Sequence, residues 1–248
     1  MCHDDDSRPP SPPVVGAVLE HGPLTLTAHD GTEFLAYRAV PAEPSGRNVV
    51  ILPDVRGLHP YYEALAVRFA EAGFHAVALD YFGRTAGLGD RHDGFDWESR
   101  IAALTPEQIQ SDARAATDHV RSINAGPTFS LGFCYGGSAS WRLSASDLDL
   151  AGCIGFYGRP ARIEDVEERL RTPLLLLAAG ADAATPVAEF HALDERLTGL
   201  GVDHELHVYD GAPHSFFDRA FAEWAAACDD AWVRILDFTA RHSAAAAS

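Results

Sequence analysis

The chain is short of basic residues: 19 Lys and Arg stand against 36 Asp and Glu, a formal net charge of −17 over 248 residues. Both nucleic acid and an anionic membrane surface need basic protein surface, so neither is expected as a partner. Cysteine is also scarce. Cys2, Cys134, Cys153 and Cys228 show no C-x-x-C and no close pairing, which points away from a disulfide framework and from a zinc site. No apolar run approaches the length of a membrane span. The acidic start Met1-Cys2-His3-Asp4-Asp5-Asp6 lacks the charged-then-apolar order of a secretion signal. A reducing cytoplasm is the expected setting, one that leaves thiols free. The glycine-rich stretch Gly83 to Gly89 lacks the strand–G-x-G-x-x-G–helix context of a dinucleotide site. His204 and His207 fall on opposite faces of a strand, so they make no metal pair. No cofactor and no metal is expected.

Linkers and internal repeats are missing too, and the length suits one large α/β domain. Residues 1–13, with Pro9, Pro10, Pro12 and Pro13, read as a flexible leader, 14–242 as the domain, and 243–248 as a frayed tail. Alternation over Leu24 to His29, a turn at Asp30-Gly31 and a second run from Glu33 to Val40 predict an antiparallel hairpin. Val49 to Leu52 is a continuous apolar run, as in a strand buried on both faces. Tyr62, Leu65, Phe69 and Ala72 then recur at helical spacing before Gly73, and His75 to Leu79 reads as the next strand. Residues 81–104 are long and irregular enough for a functional loop. Thr105-Pro106 opens a helix reaching about Ile123. Strands over Ala151–Tyr157, Pro173–Ala178 and His204–Tyr209 alternate with helices over Val187–Leu200 and Phe217–Arg241. The pattern predicts an α/β fold with a mostly parallel central sheet, an antiparallel N-terminal hairpin and helices on both faces.

Gly132-Phe133-Cys134-Tyr135-Gly136-Gly137 follows the apolar run Thr128 to Leu131. A sharp strand-to-helix turn with small residues on either side of its apex is a nucleophile elbow, here with cysteine at the apex. Cys134 would stand at a helix N-terminus, where the dipole favours a thiolate. A cysteine nucleophile needs a base, and the base an orienting carboxylate. Such groups belong in loops at the carboxyl ends of parallel strands. His214, in Gly211-Ala212-Pro213-His214-Ser215-Phe216, and Asp182, after Leu174 to Gly180, both meet this condition. Asp203 and Asp210 are competing acids, and the alternative role for Asp182 is a helix N-cap. Cys153, in a buried run, and Cys228, on the apolar face shared by Phe221, Trp224, Trp232 and Ile235, read as core.

From about residue 24 to 240 the chain resembles the dienelactone hydrolase family of the α/β-hydrolase superfamily, through Gly-Phe-Cys134-Tyr-Gly-Gly, Gly180-x-Asp182, Tyr157-Gly158 and Gly-x-x-His214-Ser-Phe. The resemblance implies an α/β-hydrolase fold and a catalytic triad of Cys134, Asp182 and His214. It implies an oxyanion hole from the amides of Val55 and Tyr135. It also implies a pocket residue at Tyr157 and substrate-binding arginines, for which Arg56, Arg84, Arg91 and Arg219 are candidates. Where the family carries a glutamate near the thiol, this chain has Asp54, one methylene shorter, in Leu52-Pro53-Asp54-Val55-Arg56-Gly57. The implied activity is hydrolysis of a lactone or enol ester, of the dienelactone-to-maleylacetate type, through a thioester on Cys134. The expected partner is a small-molecule lactone or ester, bound by a monomer or weak homodimer. Two rivals stand beside this: a broad carboxylesterase or thioesterase acting on larger esters, and a non-catalytic hydrolase-fold protein that binds a ligand or senses oxidants through Cys134.

Overall fold

The computed structural model describes residues 7–91, 94–218 and 221–245. The hairpin forms as β1 (Val18–Thr27) and β2 (Glu33–Pro41), turning where Gly31 N–H donates to Ala28 O. The strands β3 (Asn48–Leu52), β4 (His75–Leu79), β5 (Thr128–Phe133), β6 (Gly152–Phe156), β7 (Leu174–Ala179) and β8 (His204–Tyr209) follow. They form one eight-stranded sheet in the order β1-β2-β4-β3-β5-β6-β7-β8. Pairing is antiparallel from β1 to β2 and from β2 to β4, and parallel across the rest.

Alternate side chains of each central strand feed opposite cores. Val49 and Ile51 pack on one face with Tyr62, Leu65 and Phe69 of α1 (Pro60–Glu71) and with Trp232, Ile235 and Phe238 of α7 (Ala225–Ala245). Val50 and Leu52 pack on the other, with α4 (Pro106–Ile123), α5 (Tyr135–Leu143) and α6 (Val187–Leu200). Burial on both faces is why these strands read as unbroken apolar runs. The start of α4 carries a capping box: Thr105 Oγ1 accepts from Gln108 N–H, and the Gln108 side chain accepts from Thr105 N–H. The long segment after β4 is not featureless, for it holds the single-turn helices α2 (Gly83–Ala86) and α3 (Glu98–Ile101).

Two expectations need correction. The last helix begins at Ala225, not Phe217. Residues 215–218 turn instead, with Ser215 at φ 65° and Asp218 N–H donating to Ser215 O, and this drives Phe216 and Phe217 into the aromatic core against Phe156. Helical spacing continues through the segment, but burying two adjacent rings takes precedence over it. At the other end, Pro9, Pro10 and Pro12 are buried, and Trp232 Nε1 donates to Pro10 O at 3.2 Å, so this part of the expected leader is docked. His3 and the three aspartates after it lie outside the described residues, as do 246–248 of the expected tail, while α7 runs on to Ala245. Among the described residues no helix is long and apolar enough to cross a membrane.

The elbow between β5 and α5 depends on close backbone approach. A Cβ at Gly132 would stand 1.9 Å from Gly136 O, and one at Gly136 would stand 2.2 Å from Leu52 O. Backbone atoms have no rotamer to escape into. Gly132→Ala is therefore expected to destabilise the fold by about 3 kcal/mol or more, the upper range for overpacking. A shift of the urea unfolding midpoint would measure it.

Candidate active site

The elbow sets Cys134 at φ 54°, ψ −111°, a conformation rare for a residue with a side chain. Strain of this kind costs of order 1–3 kcal/mol and persists only where the surroundings enforce it. Here Cys134 N–H donates to Phe156 O at 3.0 Å, while Cys134 O accepts from the amides of Gly137 and Ser138 as α5 begins. The thiol is held up at the carboxyl end of β5, partly exposed. Cys153 and Cys228 are buried as expected, and burial pushes both thiols up to about 12, so they stay protonated and unreactive.

The loops after β7 and β8 are bonded to each other. Gly180 N–H donates to Tyr209 O at 2.9 Å and Ala181 N–H to Ala212 O at 2.8 Å, carrying the strand pairing past the sheet. This brings Asp182 to His214, with Nδ1 2.6 Å from Oδ2. Asp182 is not a helix N-cap, since α6 starts at Val187 behind Pro186. Its Oδ1 accepts from Ala184 N–H at 2.7 Å. Burial pushes this carboxyl up, but the His214 hydrogen bond and charge and the amides of Ala184 and Thr185 outweigh it and hold it below the ordinary value. A lowered carboxyl stabilises the fold above its unfolded pKa, and that contribution is lost as pH falls through the folded value. Asp182 thus stays ionised across the neutral range and can hold one imidazole tautomer.

Cys134 and His214 open onto the same cavity, about 500 Å³ in volume. Val55 and Tyr135 line it as well. Tyr135 is the first residue of α5, so its amide has no partner within the helix. Val55 is the second residue of a turn closed by Gly57 N–H on Asp54 O at 3.2 Å. Tyr157 lines the cavity through a ring centred 4.7 Å from that of His214, and its hydroxyl donates to Asp218 Oδ2 at 2.9 Å.

Asp54 is fully buried, and its carboxylate accepts from Arg56 N–H at 2.8 Å and pairs with Arg56 Nη2 at 3.3 Å. Arg56 reaches the cavity wall with this carboxylate attached. Arg84 does not reach it. As a correction to the expectation, its guanidinium pairs with Asp30 and Asp112 and donates to Thr32 Oγ1, joining α2 to the hairpin turn and α4. Arg91 is likewise buried against Asp80. Arg219 lies outside the described residues.

The sequence reading missed Arg159 and Arg162, which line the cavity from the segment after β6. Both are exposed, and neither guanidinium meets a carboxylate among the described residues. Arg162 instead lies over the Tyr135 ring, 4.7 Å from its centroid. The signal was available: Gly158-Arg159-Pro160-Ala161-Arg162 directly follows a strand end on the same edge of the sheet as the elbow. Trp97 and Ile101 supply an apolar wall from the long segment after β4, and among the described residues no acidic side chain lines the cavity.

The carboxymethylenebutenolidase of Rhodococcus opacus is 27% identical to this chain over 260 residues, covering 98% of this chain and 97% of that protein. A dienelactone hydrolase-like promiscuous phosphotriesterase from metagenomic libraries superposes with a TM-score of 0.73 at 21% identity, over 88% of this chain and 98% of that one. The Pyrococcus furiosus esterase Pf2001 superposes with a TM-score of 0.66 at 15% identity, over 94% and 97%. At these identities the two structural likenesses establish the fold alone, that of the α/β-hydrolases. The family model of the dienelactone hydrolase family matches residues 34–243, nearly the whole described domain. This chain belongs to the dienelactone hydrolase family and is a carboxylic ester hydrolase.

Proposed function

We propose that the enzyme opens an anionic lactone or enol ester, of the dienelactone-to-maleylacetate type, with Cys134 as nucleophile. The observation that carries this reading is the 2.6 Å contact of Asp182 with His214, beside the cavity onto which Cys134 also opens. The thiol proton passes to His214 and Sγ attacks the lactone carbonyl carbon. The oxyanion takes hydrogen bonds from the amides of Val55 and Tyr135, an arrangement in which each donor is worth roughly 10²–10³ in rate. Collapse breaks the ring C–O bond, His214 returns its proton to the departing enolate oxygen, and a thioester remains on Cys134. His214 then takes a proton from water, the hydroxide attacks the thioester, and the thiolate is expelled. Asp182 fixes the imidazole tautomer throughout.

The lining supports an anionic substrate. All 19 basic residues of this strongly acidic chain are arginines, and two of them stand at the cavity without a carboxylate partner among the described residues. Arg159 and Arg162 suit a substrate carboxylate through forked hydrogen bonds. The relative from Rhodococcus opacus, named a carboxymethylenebutenolidase, agrees with this. A second reading, a broad esterase for larger acyl or alkyl groups, is favoured by the Trp97–Ile101 wall and by a volume of about 500 Å³, more than one butenolide ring fills. A reactive thiol at the centre of the chemistry fits work in the reducing cytoplasm, by a monomer or weak homodimer.

Three outcomes are expected. Wild-type protein hydrolyses dienelactone, followed by loss of its ultraviolet absorbance, and Cys134→Ala abolishes the turnover; silence of the folded wild type toward the lactone, with activity on an ester panel, would favour the second reading. Asp182→Asn lowers kcat by roughly 10³–10⁴ with the nucleophile intact, the scale seen when a triad histidine loses its orienting carboxylate. Arg159→Ala and Arg162→Ala each raise KM for the anionic lactone by about tenfold, near 1.4 kcal/mol of binding. That rise should exceed the one for neutral p-nitrophenyl acetate and shrink as salt is added.

A further inference from the structure

The end of β4 places a fully buried carboxylate, Asp80, between two parts of the site that are far apart in sequence. On one side Asp80 Oδ1 accepts from Leu58 N–H at 3.1 Å, and Oδ2 accepts from Phe82 N–H at 2.9 Å. The Leu58 bond holds the turn that carries the Val55 amide. Gly57 in that turn has φ 76°, and a Cβ there would stand 2.3 Å from Asp80 Oδ1, so the carboxylate lies directly against the turn. On the other side Arg91 grips Asp80 with two donors, Nε at 3.3 Å and Nη2 at 3.0 Å.

Arg91 is itself buried and gathers the segment after β4 around it. Its guanidinium donates to the carbonyls of Gly87 and Gly89. It also lies over the Phe95 ring at 4.7 Å, and Phe95 packs on Phe82 with centroids 5.1 Å apart. Arg100 covers Phe95 at 5.7 Å and donates to Thr85 O. Phe95 O in turn accepts from Trp97 N–H at 2.9 Å, which leads directly to the Trp97 and Ile101 wall of the cavity. The next residue along the chain, Tyr81, braces the neighbouring parts: its hydroxyl donates to Pro53 O at 2.8 Å and its ring meets Tyr135 edge-on at 5.8 Å.

We infer that Asp80 is a positioning residue for the hydrolysis, one carboxylate that sets the Val55 oxyanion donor through Leu58 and the Trp97–Ile101 substrate wall through Arg91. The inference rests on the oxyanion role given to Val55 above. The two arms separate in kinetics. Asp80→Asn leaves one acceptor oxygen in place of two and cannot serve Leu58, Phe82 and Arg91 together, so the oxyanion turn and the wall both loosen. Lysine at 91 keeps the charge opposite Asp80 but loses the fork and the stack on Phe95, so the wall loosens while the turn stays held.

The test uses p-nitrophenyl butyrate as probe, with kcat and KM for wild type, Asp80→Asn and Arg91→Lys. Thermal melts establish folding, and the iodoacetamide alkylation rate of the Cys134 peptide is followed by mass spectrometry. Asp80→Asn is expected to lower kcat by roughly 10- to 100-fold, the scale of an ångström-level misplacement, with the alkylation rate of Cys134 within about twofold of wild type. Arg91→Lys is expected to raise KM roughly five- to tenfold with kcat within about twofold, as for a loosened substrate contact. A folded Asp80→Asn enzyme with wild-type kcat overturns the inference. So does an alkylation rate that falls in step with kcat, because general loosening of the site would then explain both. If Asp80→Asn does not fold, Arg91→Lys decides: wild-type KM and kcat in that variant overturn the inference. Full turnover by Cys134→Ala would instead remove the mechanism on which it stands, a failure visible without either variant.

Discussion

The site depends on one steric constraint, the passage of the backbone through the elbow after β5. Gly132 and Gly136 have no room for a Cβ, and the Cys134 amide is tied to Phe156 O, so the chain has a single route from strand to helix. That route forces Cys134 to a positive φ and points its thiol out of the sheet at the start of α5. The sheet supplies the remaining geometry. Because β3, β5, β6, β7 and β8 run parallel, their carboxyl ends share one edge, and the loops that carry Val55, Cys134, Arg159, Asp182 and His214 all leave from it.

Much of this is legible in the residues because the chemistry is local. Small residues around an apex cysteine identify the elbow without knowledge of the fold. The order of nucleophile, acid and histidine, each following a strand, points to Asp182 and His214 with Asp203 and Asp210 as competitors, and the bonding of the loops after β7 and β8 brings Asp182 to the imidazole. The structural role of Arg84 is not legible in sequence because its partners, Asp30 and Asp112, are 54 and 28 residues away and come together only in the folded chain. Arg159 and Arg162 escape sequence reading for the complementary reason: what marks them is the lack of a carboxylate partner among the described residues, which sequence spacing does not report. The start of α7 differs because helical spacing extends back to Phe217, while core packing of Phe216 and Phe217 requires a turn there.

Charge follows the same division of labour. The chain is strongly acidic overall, and its acidic side chains neutralise arginines at structural posts: Asp80 with Arg91, Asp112 with Arg84, Glu167 with Arg196. At the cavity Arg56 and His214 keep carboxylate partners in Asp54 and Asp182, while Arg159 and Arg162 meet no carboxylate among the described residues. These two arginines, in a strongly acidic chain, are the ground for the anionic substrate proposed above. The proposed transfer of the acyl group to sulfur rests on the Asp182–His214 contact and on the cavity that Cys134 and His214 both line.

Acid-quenching the enzyme during turnover and weighing its cysteine peptides tests that central claim most directly. The account predicts a mass increase equal to the acyl group on the peptide containing Cys134 alone, removed by hydroxylamine and absent when substrate is omitted. An unmodified Cys134 peptide at every quench time, with product forming and acyl mass found on another residue, would contradict it.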